Sequence, residues 1–290
     1  MMLQGPVLVG TDLSVNAEEA LRQGHDLARD LDSAFIVCHV VPDLLSVRML
    51  FPQWSGVDPA AQESITAKAR RAVEEQLAAV LDRDASRASI VLDSGSAHAT
   101  FLAKAESVGA GIIVVGPGRV ADQVVRHAQT PVLVARPSGR GVVIGATDFS
   151  DPSLPALEMA ASEARRRKSP LHLLHVVDIG VYALAGAAGG GAPYLGGTPI
   201  VALQSLEDLR VAARLRLEET LERFDVDGQA IATSGSAAAS IVSLAATSGA
   251  ELVVVGTHGR TGFARMALGS TAEAVMRSAP CSVLVVRLAP

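Results

Sequence analysis

A glycine-rich segment near the carboxyl end of the chain has the residue types and spacing of an anion-binding loop. It follows a G-x2-G-x9-G-S pattern that starts at Gly256, after a predicted strand, and ends at Ser270, just before a helix predicted over 271–278. Glycine allows positive φ angles and lets a ligand come close to backbone N–H groups. The hydroxyls of Ser270 and Thr271 stand where the dipole and free N–H groups of the helix favour a negative charge. The pattern predicts a phosphate-binding loop, with a purely structural surface loop as the alternative.

The same loop lacks the parts that drive phosphoryl transfer. No G-K-[ST] follows the glycines, and the spacing differs from the dinucleotide-binding G-x-G-x-x-G. The nearest positive side chains are Arg260 and Arg265, and the loop sequence has no carboxylate to act as a base or to hold a metal directly. The loop is therefore predicted to bind phosphate rather than to transfer it.

The chain contains the same domain twice. Residues 93–116 align with residues 233–256 without a gap, at an offset of 140 and with 11 identities in 24 positions. Two shorter upstream segments recur at an offset of 136. This period is far too long for a solenoid. We predict two domains, residues 1–137 and 141–290, joined by a short linker rich in proline and glycine.

Each copy alternates short apolar runs with longer helical patterns. Runs such as Ile112–Val115 and Leu252–Val255 have the length of strands and are apolar throughout. Strands of this kind, separated by helices, are typical of a parallel sheet covered on both faces. The sequence predicts two tandem doubly wound α/β domains, which are Rossmann-like. In each copy a capping residue precedes a proline at the predicted start of a long helix, at Asp58-Pro59 and Thr198-Pro199.

Composition excludes several classes of protein. Hydrophobic residues make up 49% of the chain and charged residues 19%, which favours a packed core over a disordered chain. The net charge of -5 argues against a general nucleic-acid binder. No apolar run approaches the ~20 residues that span a membrane, and two cysteines give no disulfide framework and no cysteine-rich metal site. With no signal-peptide pattern at the N-terminus, the expectation is a cytoplasmic protein without nucleic-acid or membrane partners.

The sequence G-T-H-G-R-T-G-F-A-R-M-A-L-G-S-T-A-E, followed by A-P-C-S-V-L-V-V-R, resembles the ATP-binding signature and last strand of the universal stress protein family. The resemblance covers nearly the whole chain as two such domains in tandem, with the second in the nucleotide-binding branch. It implies five strands in each domain and ATP, with or without Mg²⁺, at the carboxyl edge of the second sheet. The ligand-binding residues that it implies are Ala146, Thr147, Asp148, Val176, Gly256, His258, Gly259, Gly269, Ser270 and Thr271.

The residues on the nucleoside side of this site each have a second interpretation. Asp148 follows a strand end, at the edge where open α/β sheets bind ligands. Its carboxylate is suited to accept from a ribose hydroxyl or the adenine amino group, and a turn or N-cap carboxylate is the alternative. The resemblance places Val176 on adenine, with core packing as the alternative. His258 is predicted to be neither an acid nor a base.

The first copy departs from the pattern in the phosphate loop. Asp12 and Val40 are retained, but Gly116 is followed by Pro117-Gly118 and then directly by a predicted helix. The distance from Gly116 to Pro131, just before the last strand, is 15 positions, against 24 from Gly256 to Pro280 in the second copy. We therefore predict that the first domain has lost phosphate binding.

These observations predict an ATP-binding stress-response protein that acts as a nucleotide-dependent regulatory module with little or no hydrolysis. Its two domains are expected to pack on each other, and a homodimer is left open. One alternative is an enzyme on the same fold, a slow ATPase or a nucleotidyl transferase. The other is an assembly scaffold that needs no nucleotide. The uncharged, glycine-rich stretch at 179–198 is interpreted as either a lid over the nucleotide or a passive linker.

Overall fold

The structure is a computed structural model that describes residues 3–43, 59–177, 194–195, 198–257 and 268–287. The chain divides into two compact units, residues 2–137 and 138–288. Each unit carries parallel strands joined by helices, so the predicted class of two tandem doubly wound α/β domains is confirmed. Most of the predicted stretch at 179–198 lies outside the described residues.

In the first domain, the described strands pair in parallel in the order β3-β2-β1-β4-β5. These strands are β1 (Val7–Gly10), β2 (Phe35–Val41), β3 (Ala88–Ser94), β4 (Ile112–Val115) and β5 (Val132–Val134). The helices between them are α1 (Val15–Asp30), α2 (Pro59–Leu81), α3 (Ala97–Ser107) and α4 (Arg119–His127), with a 3₁₀ turn at Asp82–Arg87. Helices α1 and α2 pack side by side, and so do α3 and α4. Two helices thus cover each face of the sheet, which explains why β4 and β5 are apolar and buried along their whole length.

The second domain repeats this arrangement with the strand order β10-β7-β6-β11-β12. Its parallel strands are β6 (Val143–Thr147), β7 (Leu171–Val177), β10 (Gly228–Ser234), β11 (Leu252–Gly256) and β12 (Ser282–Val286). The helices are α5 (Leu154–Arg167), α6 (Ile200–Phe224), α7 (Ala237–Thr247) and α8 (Ser270–Ser278), with a 3₁₀ turn at Asp151–Ser153. Helix α5 packs on β6 and β11, while α6 packs on β7 and β10.

The predicted start of the long helix in the second domain was wrong. Thr198–Pro199 forms a short strand, β9, that pairs in antiparallel fashion with β8 (Tyr194–Leu195), and helix α6 begins one residue later, at Ile200. The fixed φ of proline suits an extended strand as well as the first turn of a helix, so the sequence pattern did not distinguish the two. In the first domain, α2 begins at Pro59 as predicted, and Asp58 lies outside the described residues.

A buried ion network joins the end of α5 to the start of β11. Glu163 is 5% exposed. Its Oε2 atom lies 2.7 Å from Nη2 of Arg166 and 3.1 Å from Nε of Arg167. Arg167 also reaches Glu251, 3.4 Å away, and the Ser169 hydroxyl donates to the same carboxylate. Arg166 and Arg167 therefore neutralise two buried carboxylates at the end of α5.

Among the helices in the described part of the chain, none is long and apolar enough to cross a membrane. Both cysteines, Cys38 and Cys281, are buried and unbonded to each other. Desolvation of the Cys38 thiol raises its pKa to about 11. That thiol is therefore a poor nucleophile at neutral pH.

Candidate functional site

A cavity of about 520 Å³ lies at the carboxyl ends of β6, β7 and β11 in the second domain. The chain leaves β6 toward β7 on one side and later returns to β11 on the other side of β6. Such a reversal in strand order opens a crevice between the two connections, and open α/β sheets bind ligands there. The topology alone therefore accounts for the position of the cavity.

The structure brings the predicted ligand-binding residues together around this cavity. Ten residues were predicted, of which two, His258 and Gly259, lie outside the described residues. The other eight all line the cavity: Ala146, Thr147, Asp148, Val176, Gly256, Gly269, Ser270 and Thr271.

Asp148 stands in a tight turn directly after β6. One of its oxygens, Oδ1, accepts hydrogen bonds from the backbone N–H of Ser150 (3.0 Å) and from the Ser150 hydroxyl (2.5 Å). The Thr147 hydroxyl accepts from the N–H of Phe149 (2.9 Å) and is hydrogen-bonded to the Ser153 hydroxyl (2.7 Å). These side chains hold Phe149 at a φ of 62°, a left-handed conformation that is unusual for a bulky residue. Asp148 thus serves the turn through Oδ1 and also lines the cavity.

The first domain contains the same turn. Oδ1 of Asp12 accepts from the N–H and the hydroxyl of Ser14, the Thr11 hydroxyl accepts from the N–H of Leu13, and Leu13 has a φ of 66°. The turn is therefore a property of the fold in both copies. It does not by itself distinguish a ligand-binding domain from a domain without a ligand.

The two domains differ in the loop that follows β4 in the first domain and β11 in the second. In the second domain, residues 257–269 lie between β11 and α8. A hydrogen bond from the N–H of Gly269 to the carbonyl of Thr257 (2.8 Å) holds the two ends of this segment together. The N–H of Thr257 in turn donates to the carbonyl of Val286 at the end of β12 (3.0 Å). In the first domain only residues 117–118 lie between Gly116 and α4. Helix α4 therefore begins where the second domain has its glycine-rich loop.

Val176 lies at the end of β7, between two buried residues of the strand. His175 is 8% exposed and Val177 is 4% exposed, whereas Val176 is only half-buried. Because Val176 also lines the cavity, its exposed surface is available to an apolar ligand group. Core packing alone does not account for it.

Three cavity-lining residues that the sequence analysis did not assign to the site form a stacked column: His175, Phe149 and Arg216. The rings of Phe149 and His175 stack with centroids 4.2 Å apart and planes at 26°. The guanidinium of Arg216 lies 4.5 Å from the centroid of the Phe149 ring. Nδ1 of His175 is hydrogen-bonded to the carbonyl of Thr147 (2.8 Å), which fixes the position of the His175 ring in the column.

The described residues contain no group of three or more His, Cys, Asp or Glu side chains that suits a metal ion. Within the same residues, Asp148 is the one carboxylate and Arg216 the one arginine that line the cavity. The arrangement offers an apolar wall, a carboxylate, a guanidinium and the amino-terminal end of a helix.

Comparison with known proteins identifies the family of the chain. The model of the universal stress protein family matches the chain twice, over residues 5–136 and 140–287. The chain belongs to the universal stress protein family.

Relatives support this assignment over the full length and over parts of the chain. A universal stress protein of Mycobacterium bovis is 31% identical over 310 residues, which cover 98% of this chain and 97% of that protein. A universal stress protein of Mycobacterium tuberculosis is 38% identical over 182 residues, but the match covers only 59% of this chain and 53% of that protein. The chain therefore spans about half the length of that second relative.

A solved universal stress protein from Archaeoglobus fulgidus has the same fold. It superposes with a TM-score of 0.67 over 98% of this chain and 96% of that protein, at 19% sequence identity. At this identity the likeness concerns the fold. The tandem arrangement of two universal stress protein domains rests on the two matches of the family model.

Proposed function

We propose that the second domain binds an adenine nucleotide, in the first place ATP, and that occupancy of this site regulates the protein in a stress response with little or no hydrolysis. The observation that carries the proposal is the cavity at the switch point of the second sheet. It is lined by an acidic turn on one side and by the start of a helix on the other.

The lining residues fit the parts of such a nucleotide. ATP supplies a flat apolar base, a ribose and a polyphosphate anion. The carboxylate of Asp148 is placed to accept a hydrogen bond from the nucleoside, and Val176 offers apolar contact to the base. The hydroxyls of Ser270 and Thr271 and the free N–H groups of the first turn of α8 suit the phosphates.

The same lining supports binding rather than turnover. Oδ1 of Asp148 already accepts two hydrogen bonds in the turn, which makes this carboxylate a weak candidate for a general base. No lysine lines the cavity within the described residues. Because those residues offer no carboxylate cluster for Mg²⁺, we propose that any Mg²⁺ is held by the phosphates of the nucleotide.

Other parts of the account remain predictions from the sequence. These are the cytoplasmic location, the packing of the two domains on each other and a homodimer. The enzyme alternative requires a positioned base, and the scaffold alternative leaves the polar lining of the cavity without a role.

The paired turns of the two domains provide the test of the proposal. Asp148→Asn is expected to weaken ATP binding by about tenfold or more, since hydrogen bonds to charged groups are worth about 1.5–3 kcal/mol. Asparagine keeps an oxygen for the turn, so the fold should be retained. The matched control is Asp12→Asn, which makes the same change in the first domain. Calorimetric titration with ATP decides the matter: equal affinities for both variants would contradict a nucleotide site at Asp148.

A further inference from the structure

Arg216, which lines the cavity of the second domain, has no ion pair with a carboxylate among the residues that the structure describes. Two other arginines of α6 form ion pairs along the helix, Arg210 with Glu207 (3.0 Å) and Arg214 with Glu218 (3.7 Å). Within the described residues, Arg216 has no carboxylate partner, and its guanidinium rests on the ring of Phe149. Stacking on an aromatic ring holds a guanidinium in place while its N–H donors stay available to an anion.

In the first domain, the position of Arg216 is occupied by an uncharged side chain. Gln76 stands at the position that corresponds to Arg216 at the repeat offset of 140. Two hydrogen bonds fix the side chain of Gln76. Its Oε1 accepts from the Thr11 hydroxyl (2.6 Å), and its Nε2 donates to the carbonyl of Ser14 (3.2 Å). Leu13 replaces Phe149, so the platform for a guanidinium is absent as well. The stacked cation thus occurs in the domain that also has the long loop and the helix start at Ser270.

Arg216 and the start of α8 lie over different strands of the second sheet. The column of Arg216, Phe149 and His175 stands on the ends of β6 and β7. The start of α8 is fastened to the ends of β11 and β12 by the hydrogen bonds of Thr257. Since neighbouring strands are about 4.8 Å apart, the ends of β7 and β11, with β6 between them, are separated by roughly 10 Å. The cavity therefore has two separate groups that attract anions.

We infer that Arg216 binds a second phosphate, carried on the 2′ or 3′ oxygen of the ribose, while the 5′-phosphates lie at the start of α8. This inference rests on the proposed nucleotide site. Asp148 directly precedes Phe149, and Val176 directly follows His175, so the guanidinium of Arg216 lies on the nucleoside side of the ligand, where the ribose carries the oxygens that can bear a phosphate. A guanidinium makes two parallel hydrogen bonds to a phosphate, which suits a phosphomonoester at this point. The ligand class is an adenine nucleotide phosphorylated on both the 5′ carbon and the ribose ring.

The test compares ADP with ADP that carries an additional 2′- or 3′-phosphate, by calorimetric titration of the full chain at low ionic strength. In the wild type, the additional phosphate at one of the two positions is expected to tighten binding by about tenfold to a hundredfold. In Arg216→Gln, which introduces the residue of the first domain, this gain is expected to be lost. Arg214→Gln removes a charge from the same helix outside the cavity lining and is expected to keep the gain.

Three results overturn the inference in distinguishable ways. Equal affinities of the wild type for ADP and for both phosphorylated forms exclude a second phosphate site. An equal loss of affinity for all ligands in Arg216→Gln places the guanidinium at the base or the 5′-phosphates instead. Failure of ADP itself to bind overturns the proposed nucleotide site, and the present inference with it.

Discussion

Replacing Glu163 with glutamine is expected to lower the free energy of unfolding of the second domain by about 3 kcal/mol at pH 7. The carboxylate of Glu163 is buried between Arg166 and Arg167, whose side chains are only 19% and 15% exposed. Glutamine has a similar shape but no charge, so the substitution leaves two poorly hydrated guanidinium groups without their main counter-ion. Hydrogen exchange of the amides in β6 and β11 as a function of denaturant measures this loss in the second domain alone.

The stabilisation that the Glu163 carboxylate gives to the second domain is expected to be lost in acid. Burial by itself would raise the pKa of this carboxyl, but the hydrogen bonds and charges of Arg166 and Arg167 outweigh burial and hold the pKa below its usual value. The stabilisation is therefore complete above the pKa in the unfolded chain, about 4.3, and is lost as the pH falls through the lower pKa of the folded state. Wild type and Glu163→Gln should differ at pH 7 and converge in acid. Glu219→Gln, at an exposed site on α6, should change stability by less than about 0.5 kcal/mol. A constant difference across the whole pH range would contradict this account.

Gly269→Val is expected to abolish the stabilisation that ATP gives to the protein. A Cβ atom at this position would lie 3.1 Å from the carbonyl oxygen of Thr257, which is tighter than an ordinary contact. The added side chain would push apart the two ends of the loop and shift the start of α8 away from the phosphates. ATP at about 100 times its dissociation constant should stabilise the wild type by roughly 2.7 kcal/mol. Thermal unfolding with and without ATP measures the difference.

The control for this substitution is Gly139→Val in the linker, where a Cβ atom meets no other atom within 4 Å. This variant should gain as much stability from ATP as the wild type. Unfolding of Gly269→Val without ATP shows whether the fold is retained, and Gly269→Ala provides a smaller change at the same point. If Gly269→Val gains the full stabilisation from ATP, the start of α8 is not the phosphate site.

Elements defined by continuous apolar runs could be predicted from the sequence. Strand β4 has the predicted bounds, Ile112–Val115, and β11 extends the predicted run Leu252–Val255 by one residue, because uninterrupted apolar runs bounded by turns leave little choice of element. The start of α6 was mispredicted because Thr198-Pro199 fits a strand as well as a helix start, and the sequence pattern gave no sign of its pairing with β8.

The candidate site was predictable to the extent that it follows from motifs and repeats. The residues around Gly269 belong to a recognisable pattern, and the strand order then brings them to the same edge as Asp148. Whether Asp148 serves a turn or a ligand remained open in the sequence, and the structure shows that one oxygen serves the turn. The stacking of Arg216 on Phe149 was not predictable, since helix packing alone brings these distant residues together.

The central claim is that only the second domain retains a nucleotide site. Calorimetric titration of the full chain with ATP tests it most directly, because the stoichiometry counts sites without reference to any variant. We expect one molecule of ATP per chain, since residues 257–269 separate β11 from α8 in the second domain whereas two residues stand in the corresponding place in the first. Two equivalent sites per chain, or no binding at all, would contradict the account.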